Sequence, residues 1–213
     1  MTFRWVFKGT GAALFGRGVG AGIHEKVPGA VFLRQAHGNR VLISPKPMEE
    51  ADGMVIPRTE GVFPGLRTAD CLPVFAFWKG SLGCAHAGWR GLSTGILDEL
   101  MLHGGGPPEA VVFGPCICGE CYTAGEEVRS LFTRDDPLGN GKHPSGRVDL
   151  RGAAAEAFTG KSRVFSVDLC TLCSPGFHSY RRNRTSLRNT FWLAPEEAGY
   201  DIPNLISMEA SEY

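Results

Sequence analysis

Glycine constrains this chain more than any other feature. It accounts for 29 of 213 residues, about twice the usual share. Such a chain is a candidate for disorder. Yet Gly and Pro together, 29 and 14 residues, stay below the roughly 25–30% that marks low complexity, and 43% of the residues are hydrophobic. The glycines therefore belong to tight turns and close backbone approaches inside a folded unit. The length suits one domain over residues 1–213.

The apolar runs between the glycines predict an order of elements. Strands are expected at Phe3–Phe7, Ala30–Gln35, Arg40–Ser44, Met54–Pro57, Gly61–Leu66, Pro73–Trp78 and Ser81–Ala85, with His37-Gly38-Asn39 as a tight hairpin turn. The period then changes. Leu92, Ile96 and Leu100 recur every fourth residue and predict one amphipathic helix over Trp89–His103, stopped by three glycines and two prolines. Ala110–Phe113 reads as a strand. Thr123-Ala124-Gly125-Glu126 has capping-box spacing ahead of a helix carrying Val128, Leu131 and Phe132. Residues 133–147 read as a polar surface loop, Gly152–Phe158 as a short Ala-rich helix and Arg163–Val167 as a late strand. No repeat or linker divides the chain. The expected class is α/β (mixed α+β), a single domain with a central mixed β-sheet flanked by helices.

Charge and cysteine usage exclude several functions. Lys and Arg number 22 against 22 Asp and Glu, so the chain offers no electrostatic reason to bind nucleic acid or an anionic membrane surface. No apolar run approaches the ~18 residues that span a bilayer, and the first residues lack the pattern of a signal peptide. Seven cysteines, an odd number in a chain too large to need disulfide staples, predict reduced thiols and a cytoplasmic location, with metal binding or catalysis open to them.

Three polar residues fall at junctions between expected elements, where loops carry chemistry: His37 in Gln-Ala-His-Gly-Asn, Cys71 in Thr-Ala-Asp-Cys, and His86 in Cys-Ala-His-Ala-Gly. Two imidazoles and a thiolate are a zinc donor set, and three protein ligands leave the fourth position open, as catalytic sites do. Asp70, next to Cys71, is a candidate base or a group that orients a ligand. The ligands lie 34 and 15 residues apart, which is no short metal spacing. On spacing alone they also read as a turn histidine, a buried thiol and a packed histidine.

The wording of the motifs narrows this. QAHGNRV, ADGMV, LRTADCLPV, CAHAGWRGLSTGIL, GPCICGECYTAGEEV, VDLRGA, DLCTLC and HSYRRN occur in this order. Together, over about residues 35–193, they resemble the YfiH family, also called the laccase-domain or polyphenol-oxidase-like family. The resemblance implies a YfiH-like fold and a catalytic zinc held by His37, Cys71 and His86. It implies purine nucleoside chemistry: phosphorolysis of adenosine, inosine and methylthioadenosine, and deamination of adenosine. Copper-dependent phenol oxidation is also attributed to the family. The chain departs from the family pattern at Asn183-Arg184, where an Asp commonly follows the double Arg. It departs again in a shortened segment between Arg151 and Arg163, and in the tail from Pro195.

Other residues are weighed beside these. Gly88-Trp89-Arg90-Gly91 precedes a helix, where backbone N–H groups and Arg90 suit a phosphate. It reads equally as an ordinary strand-to-helix turn. Asn39, Arg90 and Arg181 are the expected contacts to nucleoside or phosphate, His178 is placed at the pocket border, and Arg184 and Arg188 on a solvated face. Cys84 reads as core, and His24, His103 and His143 as surface. A four-Cys zinc knuckle could draw its ligands from the two groups Cys116, Cys118, Cys121 and Cys170, Cys173. The resemblance, however, places no zinc ligand at them, so no second metal site is expected.

The leading expectation is a zinc enzyme acting on a small-molecule nucleoside and phosphate. A copper phenol oxidase is the first alternative. A His2Cys set binds copper, but reduction of oxygen to water takes several His-rich sites that six histidines do not readily fill. A metal-free hydrolase with Cys71 as nucleophile, acting on a cell-wall precursor, and a non-enzymatic nucleoside-binding module remain open.

Overall fold

The computed structural model describes residues 29–132 and 147–193, together with the strands Arg4–Phe7, Lys142–His143, Ile206–Glu209 and Ser211–Glu212. In chain order the strands are β1 (Arg4–Phe7), β2 (Ala30–Phe32), β3 (Val41–Ile43), β4 (Gly53–Pro57), β5 (Phe63–Thr68), β6 (Leu72–Phe77) and β7 (Ser81–Ala87). They continue as β8 (Ala110–Phe113), β9 (Lys142–His143), β10 (Arg147–Val148), β11 (Arg163–Ser166), β12 (Asn189–Trp192), β13 (Ile206–Glu209) and β14 (Ser211–Glu212). The helices are α1 (Trp89–Ser93), α2 (Ile96–His103), α3 (Glu126–Leu131), α4 (Leu150–Phe158) and α5 (Tyr180–Asn183).

Seven strands form a central mixed sheet in the order β14-β11-β8-β6-β7-β4-β3. Within it β11 runs parallel to β8 and β3 to β4, while the other neighbours are antiparallel. A smaller mixed sheet, β12-β5-β2, and the two-stranded ladders β1-β13 and β9-β10 complete the pairing.

Side chains alternate across the central sheet with the period of two that a pleated strand imposes. Leu72, Val74 and Ala76 of β6, Val111 and Phe113 of β8 and Val55 of β4 enter one core, with Ile96, Leu97 and Leu100 of α2 and Leu150, Ala154 and Phe158 of α4. Their neighbours Phe75, Val112, Met54 and Ile56 enter the other, with Val31, Leu66 and Phe191 from the small sheet. Helices thus cover one face and the small sheet covers the other. Burial on both faces is why these strands read as continuous apolar runs rather than as alternating ones. The expected architecture, a central mixed sheet flanked by helices, is the one observed.

Local expectations fail in three places. His37-Gly38-Asn39 is not a hairpin turn: β2 pairs in parallel with β5, and β3 in parallel with β4, so the chain crosses here between sheets. Each run satisfies its apolar pattern in a different core, Val31 and Leu33 in one and Val41 in the other. Trp89–His103 is two helices, because Gly95 takes a left-handed backbone at φ +84° that ends α1 and starts α2. Leu92 still packs against the core that holds Ile96 and Leu100, which preserves the periodicity. The capping box is not formed: α3 starts after Gly125 with no side-chain cap, and the Thr123 carbonyl accepts from Arg181. Of the expected loop 133–147, the residues 133–141 and 144–146 lie outside the described ones.

Candidate metal centre

The switch between sheets delivers three chain segments to one point. His37 lies on the crossover from β2 to β3, Cys71 on the turn from β5 to β6, and His86 near the end of β7. β6 and β7 pair with Leu72 opposite Ala87 and Pro73 opposite His86. That register sets Cys71, just before β6, against Gly88, just after β7. A Cβ on Gly88 would stand 3.0 Å from the Cys71 Sγ and 3.9 Å from His37 Cδ2, so a side chain here would crowd the thiol and glycine allows the close approach. The ligand atoms of His37, Cys71 and His86 lie within 4.8 Å of one another. The two imidazole rings meet edge to face, with centroids 4.6 Å apart.

Asp52 organises this cluster, and sequence reasoning missed it. Its carboxylate is 1% exposed. Oδ1 accepts from the His37 backbone N–H at 2.9 Å and pairs with His86 Nδ1 at 2.8 Å. Oδ2 accepts from the Ala36 and Gly38 N–H groups at 3.1 and 2.7 Å. A carboxylate only accepts, so His86 Nδ1 carries the proton and Nε2 is left for a metal or a thiol. One side chain thus orients His86 and holds the loop that presents His37. The available signal was a lone acid inside the apolar run Ala51–Pro57.

Electrostatics follow from the geometry. Burial pushes the Asp52 carboxyl up, but the His86 hydrogen bond and the loop N–H groups outweigh it and hold the pKa below the ordinary carboxylate value. Burial also opposes ionisation of Cys71, yet the neighbouring His86 and His37 bring the thiol down to about 6. His86 is driven the opposite way: burial lowers it, while Cys71 and Asp52 raise it to about 9. In the absence of metal the pair favours thiolate and imidazolium.

Asp70 closes the other side. It is buried and has a backbone φ of +92°, an arrangement that needs support from its surroundings. Oδ1 accepts from the buried Thr171 hydroxyl at 2.7 Å, Oδ2 from the Arg181 backbone N–H at 2.7 Å. His37, at φ +63°, is the second strained residue of the site. The Arg181 guanidinium donates to the Thr123 carbonyl at 2.8 Å and lies 4.9 Å from the centre of the Tyr122 ring. Tyr122 is therefore a second neighbour the sequence did not single out. Asn39 donates to the Thr94 carbonyl at 2.7 Å, which ties the His37 loop to the end of α1. Arg90 is exposed over the Trp89 ring. Arg188 is half-buried and caps its own turn through the Thr185 and Leu187 carbonyls, rather than lying on a solvated face. Cys84 is core, as expected.

The donor set fits zinc. Two imidazoles and one thiolate converge, a carboxylate orients the inner histidine, and the exposed side chain of His37 leaves the cluster open to solvent. Among the described residues no helix is long and apolar enough to cross a membrane.

Known proteins resemble this chain in sequence and in fold. The chain is 38% identical over 140 residues to a purine nucleoside phosphorylase of Aquifex aeolicus, covering 63% of this chain and 66% of that protein. It is 34% identical over 179 residues to the Escherichia coli purine nucleoside phosphorylase YfiH, covering 76% and 73%, and 26% identical over 191 residues to the adenosine deaminase RL5 of an unknown prokaryotic organism, covering 76% and 72%. The chain thus spans about two thirds to three quarters of the relatives it matches. A Neisseria meningitidis crystal structure superposes with a TM-score of 0.66 at 28% identity, covering 76% of this chain and 73% of the other. The family model described as multi-copper polyphenol oxidoreductase laccase matches residues 20–190, and with that span, the YfiH relative and the shared fold, this chain belongs to the YfiH, or laccase-like, family.

Proposed function

We propose that this protein is a zinc-dependent enzyme of purine nucleosides, acting by phosphorolysis and, on adenosine, by deamination, in a reducing cytoplasm. The observation that carries the reading is the convergence of His37, Cys71 and His86 in front of Asp52, with relatives of both named activities supporting the substrate class. His37, Cys71 and His86 would hold a zinc ion, which would supply Lewis acidity. The protein's own residues do the rest. Asp52 fixes the His86 tautomer and the His37 loop. Gly88 keeps the space over Cys71 clear. Asp70, with both carboxylate oxygens already accepting hydrogen bonds, is assigned to positioning the Cys71 turn rather than to taking a proton. Arg181, held by Thr123 and the Tyr122 face, offers its remaining N–H donors to phosphate, and Arg90 stands ready at the start of α1. In phosphorolysis a phosphate oxygen bonds to the anomeric carbon. The base leaves with the electron pair of the broken C–N bond and takes up the proton that hydrogen phosphate gives up.

The donor set favours zinc over multicopper chemistry. Among the described residues, the second sulfur-rich group contains no histidine, whereas oxygen reduction at several coppers needs imidazole-rich sites. The test is to incubate zinc-replete protein with inosine or adenosine, with and without phosphate, and to identify the products by mass. Phosphate-dependent hypoxanthine and adenine, and inosine from adenosine, are expected, with loss of all three in Cys71→Ala. No nucleoside turnover by folded, zinc-replete protein would sink the reading, and full activity in chelator would turn it toward a Cys71 thiol enzyme.

A further inference from the structure

The chain carries a second group of metal-ligating side chains, outside the site just described. The sulfur atoms of Cys118, Cys121, Cys170 and Cys173 all lie within 4.8 Å of one another. The sequence reading expected no second metal site at these cysteines. The fold nonetheless joins two Cys-x-x-Cys turns that are 52 residues apart in the chain.

We propose that these four cysteines form a structural zinc site. Three observations carry it. First, the ligand types and spacing, Cys-x-x-Cys twice, are those of a closed tetrahedral tetrathiolate site. Second, the four thiols are free and close enough together to share a metal. Cys121 and Cys173 Sγ stand 3.3 Å apart, far beyond the ~2.05 Å of an S–S bond and near the roughly 3.8 Å edge of a tetrahedron with Zn–S bonds of about 2.3 Å. Third, the backbone is already folded around the sulfurs. The Cys121 N–H bonds to the Cys118 carbonyl at 3.0 Å, and the Ser174 N–H to the Cys170 carbonyl at 2.9 Å, so each pair sits on a closed turn. The Cys118 N–H points at the Cys170 Sγ at 3.4 Å, a donor that stabilises a thiolate. Cys116 is excluded: it is fully buried in the core, and its backbone forms the bridge that aligns the turns.

The position of the site gives it a purpose. The Cys170–Cys173 turn contains Thr171, whose hydroxyl holds Asp70, and the Cys118–Cys121 turn leads directly into Tyr122 and Thr123, on which Arg181 rests. The Ile117 N–H also bonds to the Asp70 carbonyl at 3.0 Å. Arg182 adds hydrogen bonds to the Thr171, Leu172 and Ser174 carbonyls. Zinc at the four cysteines clamps the two segments that form the wall beside Cys71.

The experiment is zinc analysis of protein purified under anaerobic, reducing conditions. Two zinc ions per chain are expected, one remaining in His37→Ala/His86→Ala and one in Cys118→Ser/Cys173→Ser. Cobalt titration of the histidine double variant is expected to give the strong sulfur-to-cobalt charge-transfer absorption of a tetrathiolate site, absent once the two serines are added. A single zinc in the wild type that is lost from the histidine variant, with no such absorption, overturns the proposal. So does a mass deficit of two hydrogens locating a disulfide among these cysteines in reduced protein. Because neither the wild-type stoichiometry nor the spectrum of the histidine variant needs the serine variant to fold, poor folding of the serine variant leaves the test intact. A single zinc retained in the histidine variant would sustain this site while refuting zinc at His37, Cys71 and His86.

Discussion

Replacing Asp52 by Asn tests the heart of the metal centre. The substitution preserves shape and removes one acceptor oxygen. Each carboxylate oxygen receives two donors, Oδ1 from His37 N–H and His86 Nδ1–H, and Oδ2 from Ala36 and Gly38 N–H. Whichever way the amide turns, its NH2 faces two donors. Hydrogen bonds to a charged group contribute roughly 1.5–3 kcal/mol each, and Asp52 is 1% exposed, so solvent does not replace them. Losing two predicts a destabilisation on the order of 3–6 kcal/mol. The protein has one local escape: His86 can move its proton to Nε2 and accept from the new amide. That removes the lone pair offered to metal, so recovered stability comes at the expense of affinity. The assays are urea unfolding of metal-free protein and zinc competition against a chromogenic chelator, with a 10- to 100-fold affinity loss expected. Glu50→Gln is the control, since the Arg34–Glu50 ion pair is well exposed and worth about 0–1 kcal/mol. An Asn variant matching wild type in both stability and zinc affinity would refute the reasoning.

Three further outcomes follow from the packing. Gly88→Ala sets a Cβ 3.0 Å from Cys71 Sγ and is expected to lower zinc affinity about tenfold or more with an unchanged far-UV circular dichroism spectrum; unchanged affinity would mean the register argument is wrong. Thr171→Val keeps the volume but strips Asp70 Oδ1 of its donor. It is expected to cost roughly 1–3 kcal/mol in urea unfolding and to reduce kcat/KM, and a neutral result would remove Asp70 from its positioning role. Cys84 is fully buried, and burial pushes its thiol well above the usual range. Peptide mapping after iodoacetamide treatment is expected to find it unmodified in native protein and modified in denaturant, and native labelling would contradict the core assignment.

Particular residues show where sequence reading stopped. Strands β4, β6, β7 and β8 were legible because burial on both faces leaves apolar runs with turn residues at their ends, a local signal. The convergent trio His37, Cys71 and His86 was legible through motif wording, and the ordinary polar-at-a-junction argument reached the same three. The hairpin at His37 was misread because strand pairing is non-local: both runs are strands, and only packing decided that β2 joins β5 while β3 joins β4. The split at Gly95 was missed because the apolar period of the helix continues through it.

The sequence by itself determined the mixed α/β class, the apolar runs that become buried strands and the identity of three residues that converge. Those properties live in residue type and near-neighbour spacing. Only the tertiary structure decided that Asp52 stands behind His86, that Asp70 is clamped by Thr171 and Arg181, and that four cysteines from distant turns meet. Each depends on which segments the sheets bring within hydrogen-bonding or ligand distance. That proximity is set by the register of Leu72 against Ala87 and by two cores closing on one sheet, and no local pattern encodes it.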